Sequence, residues 1–140
     1  MVENSIRTQL RIDWSEIDYF GHINNLAILR YAQTSRLNYL EQNGMMQFHR
    51  ETGIGPVLAS TSCQFKKQLF YPGEVTVLTH VEHFKTTSFH MRHVVLNHEN
   101  ECVAEMVDIL VMFDYKNNKK HVIQDIFRPQ VDPASAVPTA

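Results

Sequence analysis

Residues 24–42 read Asn-Asn-Leu-Ala-Ile-Leu-Arg-Tyr-Ala-Gln-Thr-Ser-Arg-Leu-Asn-Tyr-Leu-Glu-Gln and contain neither proline nor glycine. Such a run predicts a helix, which Asn24 or Asn25 can cap and Gly44 can end. At about 100° per residue, apolar side chains cover most of the circumference, leaving a narrow polar stripe of Arg30, Thr34, Asn38 and Glu41. A helix this apolar has to be buried on most sides. In a small protein, that requires a sheet that curls around the helix.

The rest of the chain supplies such a sheet. Apolar and polar side chains alternate with the period of two that is typical of half-buried strands. The alternating segments, separated by turn residues, are 5–13, 57–69, 74–85, 88–98 and 102–115. Long strands joined by short turns favour an antiparallel meander. The predicted fold class is therefore α+β, with one strand, a long buried helix and about four further strands.

The composition limits what such a domain can do. The chain carries 13 basic and 15 acidic side chains, and its formal net charge is -2. We expect one domain at residues 1–128 and a Pro-containing C-terminal tail at 129–140. The charge balance argues against a nucleic-acid binder, and no apolar run is long enough for membrane insertion. Cys63 and Cys102 lack a C-x-x-C spacing, so we expect reduced, buried thiols in a cytoplasmic protein without a secretion signal.

The connection that enters the helix, residues 13–25, concentrates polar side chains. A helix N-terminus presents unpaired backbone N–H groups and the positive end of the helix dipole, which stabilise developing negative charge. A carboxylate a few residues upstream can act as base or nucleophile, and the two together are suited to acyl transfer. The same residue types also fit a capping network, in which Asp18 and Asn24 bind loop amides and His22 is a structural turn residue.

The stretch from Asp18 to Tyr31, continuing to Ser35 and Arg36, reads Asp-Tyr-Phe-Gly-His-Ile-Asn-Asn at its start. It resembles the signature of hotdog-fold acyl-CoA thioesterases of the 4-hydroxybenzoyl-CoA thioesterase type. Later segments, at 63–74, 85–89 and 111–115, are similar to other parts of that family and fall in the same order. The resemblance implies a hotdog fold, in which a long central helix is wrapped by a single antiparallel sheet of about five strands. It also implies hydrolysis of an acyl-CoA thioester.

The resemblance further implies roles for individual residues. The loop aspartate of the family falls on Asp18, as general base for water or as direct nucleophile. The helix N-terminal amide that polarises the thioester carbonyl falls on Asn25 or Asn24, and His22 orients water or substrate or is purely structural. The nucleotide end of coenzyme A is expected near a break between two strands, on Lys85, Thr87 and Ser88, with Lys66 and Lys67 as candidate phosphate contacts. These lysines equally fit a solvated basic patch.

No cofactor is implied, because coenzyme A is part of the substrate, and we expect no metal site. His80 and His83, like His90 and His93, are spaced by three on predicted strands, so a period of two sends the members of each pair to opposite faces. One sheet with a single helix cannot cover its own faces and edges. We therefore expect a homodimer at least, with a homotetramer as the larger alternative.

Two other functions stay open. A thioesterase acting on acyl carrier protein would need a basic docking face, for which the candidates are Lys66, Lys67, Lys119 and Lys120. A non-catalytic acyl-CoA binding module would hold its ligand without turnover, since a fold does not fix a function. The presence of Asp18 counts against the binding module, because a sensor has no need of a base.

Overall fold

A long helix lies at the centre of the fold, as predicted. The computed structural model describes residues 5–128, so the proline-containing tail at 129–140 lies outside the described residues. Helix α1 spans Asn25–Gln42, and the side chain of Asn24 caps it by accepting a hydrogen bond from the Leu26 amide at 2.8 Å. Gly44, with a φ of 89°, then turns the chain into a second helix, α2 (Met45–Thr52), which the sequence pattern did not predict.

Between residues 5 and 128, five long strands and one short strand form a single antiparallel sheet. They are β1 (Ile6–Arg11), β2 (Ile54–Phe65), β3 (Glu74–Phe84), β4 (Ser88–Leu96), β5 (Cys102–Asp114) and β6 (Lys119–Lys120). Their order across the sheet is β1-β3-β4-β5-β2, and β6 pairs with the end of β5. One long helix packed on this sheet confirms the predicted fold class, α+β of the hotdog type.

The strand order shows where the predicted meander is wrong. β3, β4 and β5 are consecutive neighbours, but β2 pairs with β5 instead of β3. Residues 66–73 therefore carry the chain from the β2 edge to the side of the sheet where β3 lies beside β1. A period of two determines which side chains share a face, but it does not determine which strands pair. The crossover passes the start of α1, where the Leu69 carbonyl accepts a hydrogen bond from the Ile23 amide at 2.8 Å.

Two apolar clusters fill the space between α1 and the sheet. The N-terminal cluster, near the start of α1, includes Ile23, Ala27, Ile28, Leu69, Val77, Val95 and Val103. The C-terminal cluster, near the end of α1, includes Tyr39, Leu40, Phe89, Met91, Leu110 and Met112. Between them runs a row of hydrogen-bonded polar side chains, called here the polar belt: Thr8, Ser35, Arg36, Thr61, Thr79, His93 and Asp108. On β4, for example, the belt residue His93 lies between Val95 of the first cluster and Met91 of the second.

A single chain leaves apolar surface uncovered. One face of α1 is buried, but Leu26 and Leu37 are 63% and 45% exposed, so the helix is not buried on most sides within one chain. Most of β2 is exposed as well, including Val57 and Phe65. No other described strand pairs with the outer edge of β2, which therefore presents free backbone N–H and C=O groups.

Candidate active site

Asp18 closes a tight loop just before α1. Its Oδ1 accepts hydrogen bonds from the backbone amides of Phe20 at 2.9 Å and His22 at 3.0 Å. Gly21, with a φ of 84°, adopts the left-handed conformation that the loop needs without a Cβ penalty. The capping interpretation of Asp18 is therefore correct, but it occupies one carboxylate oxygen only. Oδ2 accepts no hydrogen bond from any residue between 5 and 128, which leaves it available for chemistry.

A second carboxylate, Glu16, connects this loop to α1 through hydrogen bonds. Glu16 is buried, and its Oε1 accepts hydrogen bonds from the Tyr31 hydroxyl and the Asp13 amide, both at 2.7 Å. Burial, together with the hydrogen bond to Glu16, raises the pKa of Tyr31 far above its ordinary value. Sequence reasoning missed Glu16. The signal that could have found it is the three-residue spacing from Asp13, because the two form a capping box around a short 3-10 turn.

The start of α1 offers one uncommitted backbone donor. The Asn24 side chain accepts the Leu26 amide, and the Asn24 carbonyl accepts the Ala27 amide at 3.0 Å. The amide of Asn25, the first helical residue, has no acceptor in the described part of the chain. The positive end of the helix dipole acts at the same place. Of the two predicted asparagines, Asn24 therefore supplies the cap and Asn25 supplies the free donor.

Asp18, His22 and Asn25 line one cleft of about 340 Å³. Its buried wall is apolar and consists of Ile23, Ile28 and Leu69, all members of the N-terminal cluster. Its exposed wall is the segment 65–68, which begins at the end of β2. A carboxylate and the residue with a free helix amide therefore meet beside an apolar surface. Asn24 is not among the residues that line the cleft.

Lys66 and Lys67 belong to the exposed wall of this cleft, and each also faces a carboxylate. The Lys66 Nζ lies 3.4 Å from Glu105 Oε2, and Lys67 forms an ion pair with Glu101. The two lysines can still meet a phosphate, but their charge is already partly balanced.

The other residues expected to bind coenzyme A lie elsewhere in the chain. Lys85 and Thr87 are in the turn between β3 and β4, closed by a hydrogen bond of 2.7 Å from the Lys85 amide to the Ser88 carbonyl. From Val95, in the N-terminal cluster, to Ser88 is seven residues along β4, or about 23 Å at ~3.3 Å per residue. Within one chain, these three residues do not line the cleft that contains Asp18.

The histidines are arranged differently from the prediction. A β-bulge just before His83 inserts an extra residue into β3, so His80 and His83 face the same side of the sheet, opposite Arg92 and His90. The prediction that this pair is split between faces is therefore wrong. His93 is buried in the core and His90 lies on the outer face, as the period predicts. Within residues 5–128, no three His, Cys, Asp or Glu side chains are grouped so that they could hold a metal ion.

Both cysteines are free thiols, and they are half-buried instead of fully buried. Burial raises the pKa of the Cys63 thiol, and the negative charge of Asp108 raises it further. None of the helices in the described range is long and apolar enough to cross a membrane.

Comparison with known proteins identifies the family. The sequence pattern of the Thioesterase-like superfamily matches residues 12–131. The uncharacterized protein YsmA of Bacillus subtilis is 26% identical over 115 residues, which are 82% of this chain and 77% of YsmA. The long-chain acyl-CoA thioesterase FadM of Escherichia coli is 20% identical over 128 residues, which are 91% of this chain and 97% of FadM. A solved structure of a 4-hydroxybenzoyl-CoA thioesterase mutant complexed with 4-hydroxybenzoyl-CoA has a TM-score of 0.75 and 23% identity, covering 86% of this chain and 91% of that chain.

The chain therefore belongs to the Thioesterase-like superfamily, and the resemblance to hotdog-fold thioesterases is confirmed. By class it is a thioester hydrolase. In a protein of this class, the cleft lined by Asp18 and Asn25 is the candidate active site.

Proposed function

We propose that the protein hydrolyses acyl-CoA thioesters to a free acid and coenzyme A in the cleft beside Asp18. One observation carries the proposal. A loop carboxylate with one unengaged oxygen and the residue that supplies an unengaged helix amide line the same cleft, whose buried wall is apolar. This combination suits a substrate with an apolar acyl group, a carbonyl that must be polarised and a water that must be activated.

In the proposed reaction, the Asn25 amide donates a hydrogen bond to the thioester carbonyl. Oδ2 of Asp18 takes a proton from water, and the water oxygen attacks the carbonyl carbon. The amide and the helix dipole stabilise the resulting oxyanion. The C–S bond then breaks, and Asp18 returns the proton to the departing thiolate, whose ordinary pKa of about 8.5 makes it a good leaving group. Direct attack by Asp18, followed by hydrolysis of the anhydride, would use the same groups, and His22 is positioned to orient water or substrate in either route.

The positions of the lysines favour coenzyme A over acyl carrier protein. Lys66 and Lys67 border the cleft and already face carboxylates. Lys119 and Lys120 form β6 and pair with the far end of β5. The two lysine pairs are separated by about 30 Å along β5, at ~3.3 Å per residue. These four lysines therefore do not make one docking face for an acidic carrier.

We also propose that the active unit is a homodimer in the cytoplasm. A second copy would cover the free edge of β2 and the exposed side chains of Leu26 and of Phe65, the latter of which lines the cleft. Association of two such dimers would give a tetramer. The two free cysteines fit a reducing compartment. A sedimentation mass near the 16.3 kDa of one chain at assay concentration would contradict the dimer.

The experiment that tests the function compares Asp18→Asn with the parental protein on a panel of acyl-CoA substrates. Asparagine keeps an Oδ1 that can accept the Phe20 and His22 amides, so the loop survives while the base is lost. We expect kcat/KM to fall by roughly 10²- to 10⁴-fold. Asp13→Asn is the matched control, because Asp13 lies in the same loop, caps the Ser15 amide and does not line the cleft.

Hydrolysis by Asp18→Asn at the parental rate would eliminate Asp18 as base or nucleophile. Tight binding of acyl-CoA by the parental protein with no turnover of any substrate would favour the non-catalytic binding module instead.

A further inference from the structure

The polar belt crosses the whole width of the sheet. Each long strand contributes one residue to it, in spatial order Thr8, Thr79, His93, Asp108 and Thr61. Helix α1 adds Ser35, which bonds Thr79 at 2.5 Å, and Arg36, which bonds Asp108 at 2.9 Å. The belt therefore separates the N-terminal cluster from the C-terminal cluster on α1 and across the long strands.

The carboxylate at the centre of the belt, Asp108, has three hydrogen-bond donors. The buried carboxylate of Asp108 accepts hydrogen bonds from His93 at 2.6 Å, Arg36 at 2.9 Å and Thr61 at 2.8 Å. Burial by itself would raise the pKa of Asp108, but these bonds hold it below the ordinary value, so the carboxylate is ionised. An alkyl chain that crossed this point would have to separate the ion pair of Arg36 and Asp108, whose side chains are only 13% and 0% exposed, and would leave both charges poorly solvated.

Two elements, β2 and α1, run from the cleft of the candidate active site to this centre. On β2, Phe65 lines the cleft, Cys63 packs against the N-terminal cluster and Thr61 bonds Asp108. These three positions alternate along the strand and share its inner face. On α1, Ile28 lines the cleft and Arg36 bonds Asp108, two i+4 steps along the same face of the helix.

The distance from the cleft to the belt is nearly the same along β2 and along α1. Four residues of strand from Phe65 to Thr61 cover about 13 Å, and eight residues of helix from Ile28 to Arg36 cover about 12 Å. Measured from the Asn25 amide, where the carbonyl is held, the distance along the helix to Arg36 is about 16 Å. An extended chain advances roughly 1.2 Å per bond, since three backbone bonds span ~3.3–3.6 Å. An acyl chain laid along these two elements would therefore reach the belt after about ten to thirteen bonds.

We propose that the polar belt, centred on Arg36 and Asp108, ends the acyl-binding path. The enzyme then accepts short- and medium-chain acyl-CoA up to about twelve carbons and discriminates against longer chains. This inference rests on the proposed function, because it describes the acyl group of the substrate that Asp18 hydrolyses.

The test is the kcat/KM of the full-length protein for saturated acyl-CoA substrates from four to sixteen carbons. We expect octanoyl-CoA to exceed hexadecanoyl-CoA by at least about tenfold, which corresponds to ~1.4 kcal/mol. Equal values for the two would overturn the belt as a limit while leaving the hydrolase activity intact. Absence of hydrolysis at every length would instead refute the proposed function and the inference with it.

Variants assign the limit to particular residues. A triple variant, Arg36→Met with His93→Leu and Asp108→Leu, replaces the charged centre by apolar groups without leaving an unpaired charge. It should raise the ratio of hexadecanoyl-CoA to octanoyl-CoA hydrolysis by about tenfold or more. Arg50→Met with Glu41→Leu removes an exposed ion pair and is the matched control, with an unchanged profile.

A second variant keeps the test decisive if the triple variant fails to fold. Cys63→Phe leaves the belt intact but narrows the path two residues nearer the cleft, about 6.6 Å along β2. The longest acyl group that is hydrolysed efficiently should shorten by about five carbons. An unchanged chain-length profile for Cys63→Phe would show that the acyl group does not follow this path, and the proposal would be wrong.

Discussion

Replacing Asp108 by alanine should destabilise the protein by about 4 kcal/mol, because the donors that face the carboxylate lose their acceptor. Thr61 is exposed and can turn to water, but His93 is fully buried and the Arg36 side chain is only 13% exposed, so these two donors have little access to solvent. Breaking a buried ion pair by removing one partner typically costs ~3–5 kcal/mol. A single hydrogen bond to a charged group contributes ~1.5–3 kcal/mol. The expected loss is a large fraction of the ~5–15 kcal/mol that stabilises an ordinary domain.

Urea denaturation followed by circular dichroism measures this loss at one protein concentration. The midpoint should fall while the slope with denaturant stays constant, as for a change in stability alone. In a chain of this size, the same change lowers Tm by about 12 °C. Glu41→Ala, which removes an exposed carboxylate from the same helix as Arg36, should change the free energy of unfolding by less than about 0.5 kcal/mol. A loss below about 1 kcal/mol for Asp108→Ala would refute the argument that the belt centre is a buried, mutually dependent set of charges.

Four further predictions have defined outcomes. The pKa of Asp108 is lowered in the folded protein, so its ionisation stabilises the fold above about pH 4, and this contribution is lost as the pH falls through the folded pKa. Urea titrations should therefore show that Asp108→Asn loses less stability between about pH 5 and 2 than the parental protein does. Asn24→Ala should lower the thermal stability by about 1 kcal/mol and Asn24→Asp should recover most of it, since aspartate also caps; equal stability of both variants would contradict the cap. Tyr31→Phe should cost about 1–2 kcal/mol by removing a donor from buried Glu16, and an unchanged midpoint would show that this bond contributes nothing. Alkylation of Cys63 by iodoacetamide at pH 8 should be slower in the folded than in the urea-unfolded protein, because its thiol pKa is raised, and equal rates would count against that shift.

The elements that local pattern determines were predictable from the sequence. The bounds of α1 follow from an uninterrupted helical run with a capping asparagine at one end and Gly44 at the other. The inward face of β4 follows from its period, and Phe89, Met91 and His93 are all buried. Strand order is a non-local property, which explains why β2 was assigned to the wrong neighbour. The bulge that puts His80 and His83 on the same side of the sheet arises from the pairing of β3 with β4. No residue type within β3 predicts it.

The candidate site likewise contains residues that local sequence predicts and residues that only the three-dimensional fold brings together. Asp18, His22 and Asn25 were predictable because they lie within one loop and the first turn of a helix, and the structure places all three in one cleft. Lys66 also lines this cleft, although it comes from a distant part of the chain. Lys85 and its neighbours were assigned through the resemblance, and the strand order keeps them away from this cleft. The belt could not have been predicted, since the separation of Arg36 and Asp108 along the chain leaves no local pattern.

The polar belt also helps to fix the register in which the strands pair. A strand that slipped by one residue would turn its belt member to the outer face and break its hydrogen bonds within the belt. On β5, the slip would put Val107 or Ile109 in the place of Asp108, so an apolar side chain would face Arg36 and His93. Because each of the five long strands carries one such member, every mispaired arrangement is penalised, including slips that would still bury apolar side chains well. Both faces of β5 carry apolar residues, Leu110 inward and Ile109 and Val111 on the other side, so hydrophobic burial alone would distinguish its two registers poorly. The buried Asp108 makes one of them far more costly than the other, and this gives an otherwise ambiguous strand a unique partner register.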